Sequence, residues 1–158
     1  MNFDTLENRE QISAARERLL SLEKEEKYVF HGSPVRVDAL EPRQAGGHDE
    51  ETGHYEDDGT PAVFASTYAD CAIFMAFIRG REYENKMGID DFNQLHFVAH
   101  RVLMEGAKDK IGYVYVLDKN DFGDFRGLDC TSKKPVHPRE VIEVTFGDLP
   151  KDIKVIET

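Results

Sequence analysis

Tryptophan is missing from this chain, and only two of its 158 residues are cysteine. Two cysteines, Cys71 and Cys130, make no disulfide framework. Cys71 lies within an apolar stretch and reads as a small core residue. No apolar run approaches the roughly twenty residues of a membrane-spanning helix. The longest, Cys71 to Ile78, has the length of a buried helix. The opening Met1-Asn2-Phe3-Asp4 lacks the basic and apolar regions of a secretory signal. These absences lead us to expect a protein of the reducing cytoplasm without a membrane partner.

Positive charge is also scarce. Lys and Arg number 20 against 31 Asp and Glu, a formal net charge of −11. Such a surface repels phosphate backbones, so a protein or small molecule is the expected partner rather than nucleic acid. A locally basic pocket for one nucleotide is still compatible with it. The phosphate-binding Gly-x-x-x-x-Gly-Lys loop and the Gly-x-Ser-x-Gly nucleophile elbow are absent. Neither cysteine has a recognisable histidine partner in sequence.

What remains is an ordinary globular composition, 40% hydrophobic and 32% charged, enough for one domain with its own core. We expect an N-terminal helix within residues 1–26, with a single α+β domain over 27–158. The helix is read over 4–26, where Ile12, Ala15, Leu19 and Leu22 share one face. Tyr28 to His31 is the first core strand, and Val35 to Leu40 extends the sheet or crosses it. Residues 44–60 hold four glycines and many acids without periodicity, which predicts a mobile loop, a lid over a neighbouring pocket. Its His48, Asp49, Glu50, Glu51, His54, Glu56, Asp57 and Asp58 suit a metal by type, but a solvated acidic loop is the commoner arrangement, and no metal site is expected. Val63 to Ala65 is a strand. Thr67 caps a helix from Tyr68 to about Ile78, apolar nearly all round and therefore buried. Residues 79–94 read as a polar insertion. Strands follow at Leu95–Met104, Gly112–Leu117, Leu128–Ser132 and Glu140–Phe146, with one helical turn at Lys119–Phe122. Strands dominate the second half, which predicts mainly antiparallel pairing.

The chemistry concentrates at Tyr28-Val29-Phe30-His31-Gly32-Ser33-Pro34. Gly32, lacking a side chain, permits close approach of its peptide group to a ligand. That peptide N–H and C=O suit a flat carboxamide, and Ser33 adds a hydroxyl beside it. The His31 imidazole suits a ribose hydroxyl, as a donor to it. About thirty residues on, Pro61-Ala62-Val63-Phe64-Ala65-Ser66-Thr67 runs as a strand into the buried helix.

His-Gly-Ser at the end of a first strand, and Phe-Ala-Ser before a helix, resemble the nicotinamide-binding elements of the ADP-ribosyltransferase-like superfamily. This group includes poly(ADP-ribose) polymerases, rifamycin ADP-ribosyltransferases and RNA 2′-phosphotransferases. The resemblance covers roughly residues 28–146. It implies a mainly antiparallel split β-sheet core and NAD as the ADP-ribose donor. It gives His31 the ribose and Gly32 the nicotinamide amide, with Ser33 and Phe64 beside them. Phe74 or Tyr68 would supply the ring that stacks on nicotinamide. Val63 stands where the polymerases have tyrosine. A late Asp129-Cys130-Thr131-Ser132-Lys133-Lys134-Pro135-Val136-His137-Pro138 resembles the segment of bacterial members that carries the catalytic acid, which points to Asp129, with Glu105, Glu140 and Glu143 as rivals. A fixed carboxylate there would stabilise an oxocarbenium-like sugar and orient the acceptor. Arg43 is the candidate for a phosphate of NAD, with Arg36 and Lys133 as alternatives. Two other functions fit the same scaffold: a nucleotide-binding or protein-interaction module without turnover, and an RNA 2′-phosphotransferase, which would need a basic groove.

Overall fold

The computed structural model describes residues 13–48 and 55–157. Three helices and ten strands follow in chain order: α1 (Ala14–Lys24), β1 (Tyr28–Ser33), β2 (Arg43–His48), β3 (Tyr55–Ser66), α2 (Ala69–Phe77), β4 (Asn85–Ile89), β5 (Leu95–His100), α3 (Arg101–Ala107), β6 (Ile111–Asp118), β7 (Gly123–Arg126), β8 (Asp129–Ser132), β9 (Glu140–Thr145) and β10 (Ile153–Ile156). Seven strands form one sheet in the order β7-β8-β3-β1-β6-β9, with β2 also paired to β3. Three more form a second sheet, β10-β5-β4. Pairing is antiparallel except between β10 and β5. The protein is therefore α+β with two mostly antiparallel sheets, as expected at that level. Among the described residues no helix is long and apolar enough to cross a membrane.

The large sheet is covered on both faces. On one face α1, α2 and the small sheet enclose Phe30, Val114, Val116, Ile142 and Val144 together with Phe74 and Phe97. On the other, Val29, Val63, Ala65, Tyr115, Leu117 and Cys130 pack with Leu40, Phe122 and Val136. The alternation of β-branched and aromatic residues along β1 and β6 follows from this two-sided burial. Helix α2 is apolar nearly all round because seven of its nine residues are enclosed, and its one charged residue, Asp70, pairs with Arg16 at 2.7 Å. It seats on two glycines. A Cβ on Gly32 would lie 1.8 Å from the Ala72 carbonyl oxygen, and one on Gly112 would lie 2.8 Å from the Ala76 Cβ.

Several sequence expectations need correction. Residues 43–48 and 55–60 are strand rather than loop, the arms of a β2–β3 hairpin registered from Arg43↔Ala62 to His48↔Tyr55. Gly-rich acidic arms that pair with each other carry no core alternation, so periodicity could not reveal them. The segment 49–54, with part of the acidic cluster, lies outside the described residues. The strand expected through Met104 stops at His100, whose Nδ1 accepts from the Val102 N–H (3.1 Å) and caps α3. The presumed insertion holds β4. The N-terminal helix is described only from Ala14, and residues 1–12 lie outside the described part. Thr67 does not cap α2. Its first residue, Ala69, donates its N–H to Glu23 of α1 at 2.6 Å.

Candidate functional site

The site begins where β1 leaves β3. Lys119 donates its N–H to the Lys27 carbonyl across the β1–β6 ladder. Odd-numbered residues of β1 therefore bond β6, and even-numbered ones turn their peptide groups toward β3. Phe30 meets Ser66 there, the single registered pair between the two strands. Gly32 and Phe64 would be the next pair but are not registered. Farther along, β3 has exchanged β1 for β2, with Ala62 opposite Arg43. The sheet thus splits beside Gly32, whose peptide N–H and C=O face the split.

His31 occupies the mouth of this split. Its Nδ1 lies 2.6 Å from the Phe64 carbonyl oxygen, and its ring meets the edge of Tyr115 at 6.0 Å between centroids. Burial holds the imidazole below its usual pKa; the Phe64 carbonyl opposes this, and the charges of Arg79 and Arg43 add to it. A carbonyl only accepts, so Nδ1 carries the proton and the neutral ring leaves Nε2 as an acceptor. A ring held in this way offers a ligand hydroxyl an acceptor, where a donor was expected. Both arginines lie within electrostatic reach of the His31 ring. Arg79 follows α2 with no motif around it, so nothing in the local sequence marks it.

The other candidates separate. Ser33 is buried, and its Oγ accepts from the Val35 N–H (3.2 Å), closing the turn after β1. Tyr115 continues that restraint, donating its hydroxyl to the Val35 carbonyl and accepting from the Val37 N–H, both at 2.7 Å. Phe64 is half-buried at the split. Phe74 is fully enclosed, its ring 5.0 Å from that of Phe97, so it is a core residue and not a stacking platform. Tyr68 lies on the far side of Ser66 from the split, lining an open groove with Tyr28 and Glu23.

Asp129 begins β8, exposed and registered with Ser66. Two strand spacings put its backbone about 10 Å from β1. Side chains alternate, so His31 leaves the sheet on the face of Val29, and Asp129 leaves opposite Cys130. His31 and Asp129 therefore share the region of the split but project to opposite faces. Glu140 is engaged elsewhere, paired with Arg18 at 2.9 Å, and Glu105 with Arg101 at 3.2 Å. Burial first, with Asp129 adding its charge, pushes the Cys130 thiol up to about 12. Burial does the same to Cys71, also to about 12. Neither thiol is a nucleophile near neutral pH. Among the described residues no group of three His, Cys, Asp or Glu is placed to hold a metal.

No protein-family model, curated protein or solved structure matches this chain. The class that the fold defines is an α+β domain with two mostly antiparallel sheets.

Proposed function

We propose that this chain holds NAD across the split between β1 and β3 and transfers ADP-ribose from it, on a core like that of the ADP-ribosyltransferase superfamily. The observation that carries the reading is the Gly32 peptide group, turned into the split beside a neutral histidine. Its N–H and C=O complement the nicotinamide carboxamide. His31 Nε2 accepts from a ribose hydroxyl. Arg43 faces the phosphates as a bidentate partner. In the transfer, the bond from ribose C1′ to the nicotinamide nitrogen breaks, and its electron pair leaves with nicotinamide. An acceptor lone pair forms the new bond to C1′, and the acceptor proton passes to Asp129. The carboxylate also stabilises the cationic sugar on the way.

A binding module without turnover is the second reading. It is favoured by the enclosure of Phe74 and by the opposite projection of His31 and Asp129. Nicotinamide release from NAD, followed by chromatography, separates the two. Transfer predicts release by the wild type, with a loss of about 100-fold or more in His31→Ala and Asp129→Asn. Wild-type binding without release leaves the module.

A further inference from the structure

Tyr115 is fully buried, yet it ends in a hydroxyl. It stands on β6 directly opposite His31 on β1, and the two rings meet edge-on at 6.0 Å between centroids. A buried phenol needs hydrogen-bond partners, and this one finds two in the segment that follows β1. The hydroxyl donates to the Val35 carbonyl and accepts from the Val37 N–H, each at 2.7 Å. The chain after Gly32 and Ser33 is thereby tied down beside the His31 ring, on the sheet face from which that ring projects.

Backbone restraints extend on either side of the tie. Ser33 Oγ accepts from the Val35 N–H at 3.2 Å. Farther on, Leu40 and Val136 exchange two backbone bonds, both at 2.9 Å. Between these points Val35 and Val37 are 54% and 36% exposed. Single exposed valines are ordinary on a protein surface. These two share one buried phenol as their anchor, and that phenol touches the histidine with an open acceptor. Core filling does not explain the hydroxyl, since phenylalanine would occupy nearly the same volume, and water can reach peptide groups on so exposed a segment.

We propose that Tyr115 is a positioning residue for the split: its hydroxyl holds Val35 and Val37 as a fixed apolar wall beside His31, against which the ribose of the bound nucleotide packs. A wall fixed before binding spares the ligand the entropy of ordering it. The role rests on the NAD reading of the split, which supplies the ligand.

The test is calorimetric titration of NAD into the full chain and its variants. Tyr115→Phe keeps the ring against His31 and removes both bonds. It is expected to raise the NAD dissociation constant about tenfold, the scale of one or two hydrogen bonds. In nicotinamide release the same variant should raise KM and keep kcat within about twofold, because the wall holds substrate and transition state alike. Phe74→Leu, a core change under the other face of the sheet, controls for lost stability and should move neither. Val35→Ser/Val37→Ser should weaken NAD binding by a similar factor in the wild type and add little in the Tyr115→Phe background. Far-UV circular dichroism checks the fold of each variant. With NAD bound by the wild type, the proposal is overturned by unchanged affinity in Tyr115→Phe or in the valine pair, or by losses that multiply in the triple variant. If Tyr115→Phe does not fold, the valine pair decides alone. Absence of NAD binding by the wild type refutes the reading of the split and the wall together, so the two failures are told apart by the unmutated protein.

Discussion

Replacing Gly32 by alanine tests the packing that shapes the site. The added Cβ would meet three backbone atoms of α2: the Ala72 oxygen at 1.8 Å, the Ala76 nitrogen at 2.7 Å and the Ala72 carbonyl carbon at 2.8 Å. Backbone cannot rotate out of the way as a side chain can. Relief requires α2 to retreat by about 1 Å, and α2 carries seven buried residues into the core. We expect a loss of about 3 kcal/mol or more, at the upper end for overpacking. In a chain of this length that lowers Tm by about 6–12 °C. Gly112→Ala should cost less, because its nearest atom, the Ala76 Cβ, is 2.8 Å away rather than 1.8 Å, and the next, the Phe77 ring tip at 3.2 Å, belongs to a side chain that can shift. Urea denaturation of the two variants beside the wild type reads both numbers. A Gly32→Ala protein within about 1 kcal/mol of wild type would refute the tight seating of α2 on β1.

Other substitutions separate structural from ligand-binding roles. Burial raises the Glu23 carboxyl above its usual value, against the opposing Ala69 N–H. Its folded-state contribution is therefore present at low pH and lost as pH rises through the raised pKa. Glu23→Gln, which keeps an acceptor for Ala69 without the charge, should be at least as stable as wild type at pH 7, and Glu23→Ala should lose about 1 kcal/mol by denaturant titration. His31 has the opposite sign: its folded pKa lies below 6.5, so the unfolded chain binds more protons and stability falls as pH drops below 6.5. His31→Gln should flatten that part of a Tm-against-pH curve. Phe74→Leu should cost about 1 kcal/mol and leave NAD affinity unchanged, since the ring belongs to the core.

The parts of the fold legible in the sequence are those with two-sided burial. In β1 and β6, β-branched and aromatic residues stand out, and α2 is apolar nearly all round. The β2–β3 hairpin is not legible, because its arms hold Gly46, Gly47 and Gly59 among acidic residues and their sequence shows no alternation of period two. The cap of α2 escaped for a different reason. Local spacing pointed to Thr67, whereas Glu23 supplies the acceptor from 46 residues away. At the site, the sequence singled out His31 and Gly32 by chemistry and position. It could not show that Gly32 also seats a helix, that Phe74 is enclosed, or that Asp129 projects away from His31. Each of these depends on which strands share an edge and which faces meet, and local composition does not encode that. The split itself is the end of a ladder, a tertiary event with no residue pattern of its own.

The central claim is that NAD binds at the split. Thermal unfolding of the full chain with increasing NAD, with His31→Ala in parallel, tests it most directly. At a hundred times the dissociation constant, binding adds about 2.7 kcal/mol. The account predicts a rise in Tm of about 5–10 °C for the wild type and none for the variant. No rise at millimolar NAD, or an equal rise in both proteins, would contradict it.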